Sequence, residues 1–258
     1  MTARPPGLAR LGDPEEGLAV DNPVVDLDAY LAQAAIDSDV FGLRPDYRAL
    51  LIAVDGLEPG PSDESSEALL QSAEASARAA LEVAPVDELP RVASWREAYR
   101  SFGAKPQRTR NSLEALLRRA QSGLPRVNRL TDIYNAVSVA HQLPLGGEDL
   151  SRYAGPPRLV RAAGTESFDT TAEGADVIEH PEPGEVVWCD DVGVTCRRWN
   201  WRQARRTQLR DDTTSALFII DVLDPVTDAE LSVAAAELIE HLRGLGSDVR
   251  ISQRLLRA

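Results

Sequence analysis

Residues 92–140 read VASWREAYRSFGAKPQRTRNSLEALLRRAQSGLPRVNRLTDIYNAVSVA, and their pattern predicts three consecutive helices. The first covers 92–102 and ends at the glycine that follows it. Asn111 is suited to cap the second helix, with Glu114 as its capping-box partner. The third covers 127–140, where apolar residues recur at helical spacing. This stretch is therefore interpreted as a helical layer.

The chain outside this stretch contains both helical and strand patterns. Residues 65–83 and 228–243 have apolar positions at helical spacing. Short β-type runs bounded by Gly, Pro and Asp are found at 48–54, 158–163, 185–189, 192–197, 216–222 and 248–255. Gly146-Gly147 is interpreted as a tight turn. Helices and strands are segregated rather than strictly alternating, which predicts an α+β fold.

The charge of the chain is unevenly distributed. The net charge is −13, yet residues 91–129 carry ten bases against two acids. Residues 197–210 add six arginines and two tryptophans without a single acid. The overall charge argues against a nonspecific nucleic-acid binder. Two basic blocks in an acidic background favour a protein that contacts one particular anionic ligand.

The run 197–210 has two interpretations, and the sequence leaves both open. Guanidinium groups and indole rings together suit an RNA end, which offers phosphates and flat bases. Alternatively, the arginines pair with the many carboxylates of the protein, and Trp199 and Trp201 belong to its core.

Several classes of protein receive no support from the sequence. No apolar stretch approaches the 18 residues of a membrane span, and no secretory signal is visible, so a cytoplasmic location is expected. Cys189 and Cys196 are too few for a disulfide framework and lack zinc-site spacing, so both are interpreted as buried thiols. We expect no metal and no cofactor. The oligomeric state is left open.

One series of motifs carries a family resemblance. The motifs are Trp95-Arg96-Glu97-Ala98-Tyr99-Arg100, Phe102-Gly103, Pro106, Arg110-Asn111-Ser112-Leu113-Glu114-Ala115-Leu116, Leu124-Pro125-Arg126-Val127-Asn128, Asp132-Ile133-Tyr134-Asn135, Leu143-Pro144, Gly184-Glu185-Val186-Val187, Arg197-Arg198-Trp199-Asn200-Trp201-Arg202, Thr213 and Asp221. Their order and spacing resemble the B3/B4 domain, the aminoacyl-tRNA editing module of the bacterial phenylalanyl-tRNA synthetase β subunit, and more closely its free-standing relatives.

The resemblance implies how the chain is organised. It implies one α+β domain with a mixed or antiparallel sheet flanked by helices. Residues 22–258 would form this domain, with the best-matching core at 90–224. Residues 1–21, rich in Pro, Gly and charge, are expected to be a flexible lead-in.

The resemblance also implies site residues. Asn135 matches an asparagine of the family's pocket, and Asp221 stands where the synthetase has a glutamate. The family histidine, eleven residues after the asparagine, is replaced by Gly146. These departures put the mechanism and the recognised side chain in doubt. Residues expected to bind RNA or substrate are Arg197, Arg198, Trp199, Asn200, Trp201, Arg202, Arg205, Arg206 and Thr213.

The expected activity is deacylation of a mischarged aminoacyl-tRNA whose CCA end is bound. An aminoacyl ester is already activated, so a positioned water and an oxyanion donor suffice for its hydrolysis. Asp221 would orient the water or hold the substrate's ammonium group, and Asn135 would donate to the oxyanion. Two alternatives are a non-catalytic binder of RNA ends and a small-molecule-binding protein that has kept the pocket.

Overall fold

The computed structural model describes residues 26–258 and contains seven α-helices and eleven β-strands within that range. The helices are α1 (Leu27–Leu31), α2 (Ser38–Leu43), α3 (Glu64–Val83), α4 (Pro90–Ser101), α5 (Ser112–Ala120), α6 (Arg129–His141) and α7 (Asp228–Arg243). The strands are β1 (Ala35–Ile36), β2 (Arg48–Asp55), β3 (Leu145–Asp149), β4 (Arg158–Arg161), β5 (Phe168–Ala172), β6 (Ala175–Glu179), β7 (Val186–Cys189), β8 (Val194–Arg197), β9 (Arg202–Gln203), β10 (Ser215–Val222) and β11 (Arg250–Arg257). The predicted α+β class is confirmed.

A four-stranded antiparallel sheet in the order β11-β2-β10-β3 forms the centre of the fold. The two inner strands, β2 and β10, are almost wholly apolar and buried, as strands covered on both faces must be. Successive side chains point to opposite faces. Leu51 and Ile219 therefore belong to one hydrophobic core, and Ile52 and Phe218 belong to another.

A second, five-stranded sheet has the order β1-β4-β7-β8-β9, and only its β1–β4 pair is parallel. Leu159 and Trp188 of this sheet pack into the same core as Leu51 and Ile219 of the first sheet. The two sheets thus share one apolar layer. A separate hairpin of β5 and β6 lies beside them.

Helices cover the other face of the four-stranded sheet. Ile133 and Val137 of α6 pack with Leu238 of α7 against Phe218 of the sheet. The far side of α6 contacts α3 and α5 through a third core that includes Leu70. These contacts hold α6 against the sheet.

Most of the predicted elements are found, with boundaries shifted by a few residues at most. The predicted helix at 228–243 coincides with α7, and the one at 65–83 matches α3. Asn111 caps α5 by accepting a 2.9 Å hydrogen bond from the Glu114 N–H. The capping-box role of Glu114 is wrong, because one of its carboxylate oxygens instead binds Arg96 at 2.8 Å.

The interpretation of Gly146-Gly147 as a tight turn is also wrong. Both glycines lie within strand β3, which pairs with β10. A Cβ on Gly147 would lie 2.7 Å from the ring of Phe218 and 2.9 Å from Leu209. Glycine is used here because two core side chains press against the strand backbone.

Two parts of the chain lie beyond what the sequence patterns resolved. The hairpin of β5 and β6 and the segment from α1 to α2 have too little apolar periodicity to be recognised. The predicted flexible lead-in, 1–21, lies outside the described residues. The boundary of a single domain at residue 22 stays a prediction.

Candidate functional site

A cavity of about 250 Å³ lies between the two large sheets, with α5 and α6 beside it. It contains both residues that were expected to be catalytic. Its lining is formed by Ser112, Ala115, Leu116, Tyr134, Asn135, Leu145, Gly146, Glu148, Trp188, Cys196, Trp199, Asn200, Trp201, Arg202, Gln203, Ile219 and Asp221. A pocket of mainly apolar walls with a few converging polar groups is the usual form of a small-ligand site.

Asp221 is near the end of β10 and is 3% exposed. Its Oδ1 accepts a 2.5 Å hydrogen bond from the Tyr47 hydroxyl, and its Oδ2 accepts one of 3.3 Å from the Asn200 amide. Burial raises the pKa of Asp221 to about 7, against the opposing effect of these hydrogen bonds. A carboxyl group with this pKa exchanges its proton readily near neutral pH.

The orientation of Asn200 is fixed by a second bond. Tyr99 donates a 2.9 Å hydrogen bond to Asn200 Oδ1, so that the Asn200 NH2 group faces Asp221. The Asn200 carbonyl also accepts a 3.0 Å bond from the N–H of Ser112, at the start of α5. Tyr99 and Ser112 thereby hold Asn200 in position to support Asp221.

Asn135 projects into the cavity from the middle of α6. Its helix is anchored at the N-terminus by Asn128, whose side chain accepts a 2.8 Å bond from Thr131 N–H. Asn135 is 6% exposed, and its side-chain amide makes no hydrogen bond to any of residues 26–258. An amide in this state is free to bind a ligand that enters the cavity.

The buried residue Glu148 lines the same cavity, and the sequence reasoning missed it. Tyr153 donates a hydrogen bond to one of its oxygens. Burial raises the pKa of Glu148 to about 7, with the Tyr153 hydrogen bond acting in the opposite direction. Recognising Gly146-Gly147-Glu148 as a strand would have placed Gly146 and Glu148 on one face by alternation.

Gln203 lies where a side chain at position 146 would project. A Cβ on Gly146 would be 3.1 Å from Gln203 Nε2, which donates a 2.9 Å bond to the Gly147 carbonyl. The Gln203 side chain therefore occupies the space next to Gly146, and a larger residue at position 146 would require Gln203 to move. No histidine lines this cavity in the described chain.

The two tryptophans of the run have different environments. Trp199 is fully buried, and its ring meets Tyr47 and Trp95 edge-on at 4.9 and 5.4 Å between centroids. Arg198 and Trp199 both have positive φ values, 48° and 69°. Such a backbone costs about 1–3 kcal/mol per residue and often marks functional sites. Trp201 is half-buried beneath the Arg198 guanidinium, 4.6 Å from the ring centroid.

Most arginines of the run are engaged with carboxylates of the protein. Arg197 binds Glu185 and Glu179, both at 2.9 Å. Arg198 also approaches Glu185, at 3.5 Å. Arg205 pairs with Asp169 at 3.1 Å and also contacts Asp176. Arg206 pairs with Asp190 at 2.8 Å.

These four arginines are thus paired inside the protein, as the second interpretation of the run expected. Their role in RNA binding stays a prediction. Arg202 differs, because it lines the cavity and forms no ion pair with the described residues. Its Nη2 donates a 2.9 Å bond to the Thr171 carbonyl. Thr213 lies outside the cavity lining and donates to Asp149 at 2.9 Å.

A second group of arginines lies beside the cavity, at the side that is here called its mouth. Arg108, Arg110 and Arg118 line a shallow depression together with Ala115 and Trp201, which also line the cavity itself. Arg108 is exposed and forms no ion pair with residues 26–258. Arg108 of the basic block 91–129 therefore adds a free positive charge near the cavity, besides that of Arg202.

Other kinds of site find no support among the described residues. No group of three or more His, Cys, Asp or Glu side chains there is arranged to hold a metal ion. No helix within residues 26–258 combines the length and the apolar character that crossing a membrane requires. Cys189 and Cys196 are buried free thiols, as expected.

Comparison with known proteins gives one family match. The model of the B3/4 domain matches residues 94–241, a range that includes every residue lining the cavity. No curated protein matches the chain. A solved structure that matches is an N-terminal fragment of the phenylalanyl-tRNA synthetase beta-subunit from Pyrococcus horikoshii. Its identity is 13% and its TM-score 0.42, covering 84% of this chain and 50% of that one. The chain thus spans about half the length of that fragment.

Proposed function

The chain belongs to the B3/4 domain family, and we propose that it hydrolyses the ester of a mischarged aminoacyl-tRNA bound in the cavity between its sheets. One observation carries this proposal: Asn135 and Asp221, far apart in sequence, line one cavity of amino-acid size. A free amide and a buried carboxyl group are the two polar functions that ester hydrolysis needs beside a water molecule.

During the reaction a negative charge develops on the carbonyl oxygen of the ester. Water attacks the carbonyl carbon, and the electron pair of the carbonyl bond moves onto the oxygen. The Asn135 amide is free to donate a hydrogen bond to this oxyanion, a contribution of a few kcal/mol in other esterases and proteases. The C–O bond to the ribose then breaks, and the ribose oxygen takes the proton that the water has lost. The vicinal ribose hydroxyl can relay that proton.

Asp221 suits either of two polar partners in this reaction. Its carboxylate can accept hydrogen bonds from the attacking water or from the ammonium group of the aminoacyl ester. Tyr47 and Asn200 hold it from behind, so its position is fixed before substrate binds. Fixed polar groups need no reorganisation during the reaction, which is the main source of their effect.

The mouth of the cavity suits the single-stranded CCA end. The half-buried Trp201 ring lines both the cavity and the adjoining depression, and adenine can stack on the part of the ring that Arg198 leaves uncovered, an interaction of about 1–3 kcal/mol. Arg202 lines the cavity with it and the exposed Arg108 lines the adjoining depression, each without a carboxylate partner in the described chain. Phosphates of the CCA end would replace these missing partners.

Deacylation assays with a broad panel of mischarged tRNAs test the proposal. We expect faster loss of the amino acid from at least one of them, and at least a hundredfold slower loss with Asn135→Ala. Glu240→Gln is the control, because Glu240 is exposed on α7, which covers the opposite face of the sheet. Equal rates of amino-acid loss with and without the protein, for every tRNA of the panel, would refute the proposed activity.

A small-molecule-binding protein is the second candidate. The internal pairing of Arg197, Arg205 and Arg206 favours it, because these groups need no external anion. The net charge of −13 favours it too. The salt dependence of tRNA binding separates the candidates: an RNA-binding protein loses affinity steeply with salt, whereas the second candidate binds no tRNA at any salt concentration.

A further inference from the structure

Two buried acids stand at separate places in the cavity. Glu148 lies opposite Leu217 in the β3–β10 pair, and Asp221 follows four residues further along β10. At the usual rise per residue and spacing between strands, this separates their Cα atoms by about 14 Å. Both positions face the same side of the sheet, since they differ by an even number of residues. A single ligand atom therefore cannot contact both carboxyl groups.

Neither acid has a cationic partner among residues 26–258. No ion pair within 4.0 Å involves Asp221 or Glu148. Arg202 lines the cavity but binds the Thr171 carbonyl, and the nearby Arg206 is paired with Asp190. Two carboxyl groups buried in this way are costly to ionise without a compensating positive charge. The cavity is thus short of positive charge at two points.

The lining of the cavity is rich in aromatic side chains and also carries a free donor. Trp188, Trp199 and Trp201 line the cavity, and aromatic ring faces attract cations. The indole N–H groups of Trp188 and Trp199 are buried and face Asp221 and Tyr47, respectively, whose pKa values they act to lower. The free donor of the cavity is the Asn135 amide, which calls for a ligand that also carries an acceptor oxygen.

We propose that the cavity binds an amino-acid derivative with two amino groups, one at the α-carbon and one at the end of the side chain, as in lysine or ornithine. Asp221 and Glu148 each hold one ammonium group, and the Asn135 amide binds the carbonyl oxygen. The identification of this ligand as the acyl group of an aminoacyl-tRNA rests on the proposed function, but the binding site itself does not.

The quenching or enhancement of tryptophan fluorescence measures binding directly, because three of the four tryptophans of the chain line the cavity. The probes are L-lysinamide, L-ornithinamide and L-norleucinamide. Norleucinamide has the four side-chain carbons of lysinamide but lacks the terminal amine, and none of the three is an ester. We expect lysinamide or ornithinamide to bind at least about tenfold more tightly than norleucinamide, as one charge-assisted hydrogen bond allows.

Two isosteric variants show which acid binds the α-ammonium group of the ligand and which binds the ammonium group at the end of its side chain. One of Glu148→Gln and Asp221→Asn should remove the advantage of the diamine over norleucinamide, and the other should weaken both probes by about tenfold or more. Glu240→Gln changes the net charge equally and should leave both affinities unchanged. Circular dichroism of each variant verifies that it is folded before titration.

Three results would overturn the proposal: equal or tighter binding of norleucinamide, unchanged preference in both variants, or no binding of either diamine. The outcomes for the two proposals are distinguishable. Diamine binding without any deacylation would support the proposed binding site and contradict the proposed hydrolase activity. Deacylation of esters whose side chains lack an amine, without a preference for diamines, would support the hydrolase activity and contradict the diamine site.

Discussion

The Tyr47 hydroxyl donates a 2.5 Å hydrogen bond to Oδ1 of Asp221, joining residues that are 174 positions apart. Tyr47 is fully buried and directly precedes β2, the strand that pairs with the strand of Asp221. Burial and, after it, the proximity of Asp221 raise the pKa of Tyr47 far above its usual value, so the Tyr47 hydroxyl keeps its proton and acts as the donor. Folding of the central sheet thus assembles the support of the candidate site.

Removal of this donor should cost stability in a way that depends on Asp221. Tyr47→Phe is expected to lower the free energy of unfolding by about 1–3 kcal/mol, since a buried carboxyl group loses a partner. At pH 8, where Asp221 is ionised, the same change should cost less in an Asp221→Asn background, because bonds to a charged acceptor are the stronger ones. Urea unfolding of the four proteins in a double-mutant cycle measures the difference. Strictly additive effects would contradict the coupling.

Stability should fall as the pH rises through the range in which Asp221 ionises. Its pKa is about 7 in the folded protein and near 3.8 when unfolded, so the folded state retains the proton longer. The stabilisation from this proton is fully present below pH 3.8 and is lost as the pH rises to about 7. Relative to Asp221→Asn, the wild type should lose up to about 4 kcal/mol over this interval.

Denaturant unfolding of both proteins between pH 4 and 8 tests this prediction. Glu148 also has a raised pKa of about 7 and contributes in the same direction to both proteins. Its contribution cancels in the difference between wild type and Asp221→Asn. Parallel pH profiles for the two proteins would mean that Asp221 does not titrate as stated.

The two adjacent glycines of β3 should respond differently to alanine. In Gly147→Ala the new methyl group would lie 2.7 Å from Phe218, a fully buried ring, so a loss of about 1–3 kcal/mol is expected. In Gly146→Ala it would meet the end of the flexible Gln203 side chain at 3.1 Å, so a change within about 0.5 kcal/mol is expected. Thermal or urea unfolding of both variants gives the comparison, and equal losses would contradict it.

The sequence was most informative where apolar spacing alone determines structure. Residues 228–243 have one continuous apolar stripe and form α7 with the predicted bounds. The inner strand β10 consists almost entirely of apolar residues and was also found. Strand β3 was missed because Gly146 and Gly147 are usual turn residues, and only the packing of Phe218 against Gly147 explains their place in a sheet.

Part of the site could be predicted and part could not. The resemblance pointed to Asn135 and Asp221, and both line the cavity. Glu148 was not found, because its importance depends on burial, which no local pattern of the chain reveals. The partners of the arginines were equally hidden: Arg197 meets Glu179 and Glu185 only because two hairpins come together. A run of charged residues in the sequence does not reveal which of them lack an ion-pair partner in the folded protein.

The arginines of the protein should therefore divide into two groups with opposite phenotypes. The Asp190 carboxylate, with no exposed surface, pairs with Arg206 and also accepts backbone N–H bonds from Ala154 and Val192. Removing the guanidinium in Arg206→Gln leaves a buried charge less well compensated, so a stability loss of about 2–3 kcal/mol is expected. Its effect on RNA affinity should be small.

Arg108→Gln should have the opposite effect. Arg108 is exposed at the mouth of the cavity without an ion-pair partner in the described residues, so stability should change by less than about 0.5 kcal/mol. If it neutralises one phosphate of the CCA end, the slope of log affinity against log salt should become shallower by about 0.7. Titration of tRNA at several salt concentrations, beside urea unfolding of the same two variants, measures both effects. A loss of salt dependence in Arg206→Gln but not in Arg108→Gln would return the RNA contact to the run 197–210, with the mouth arginines acting only as surface charge.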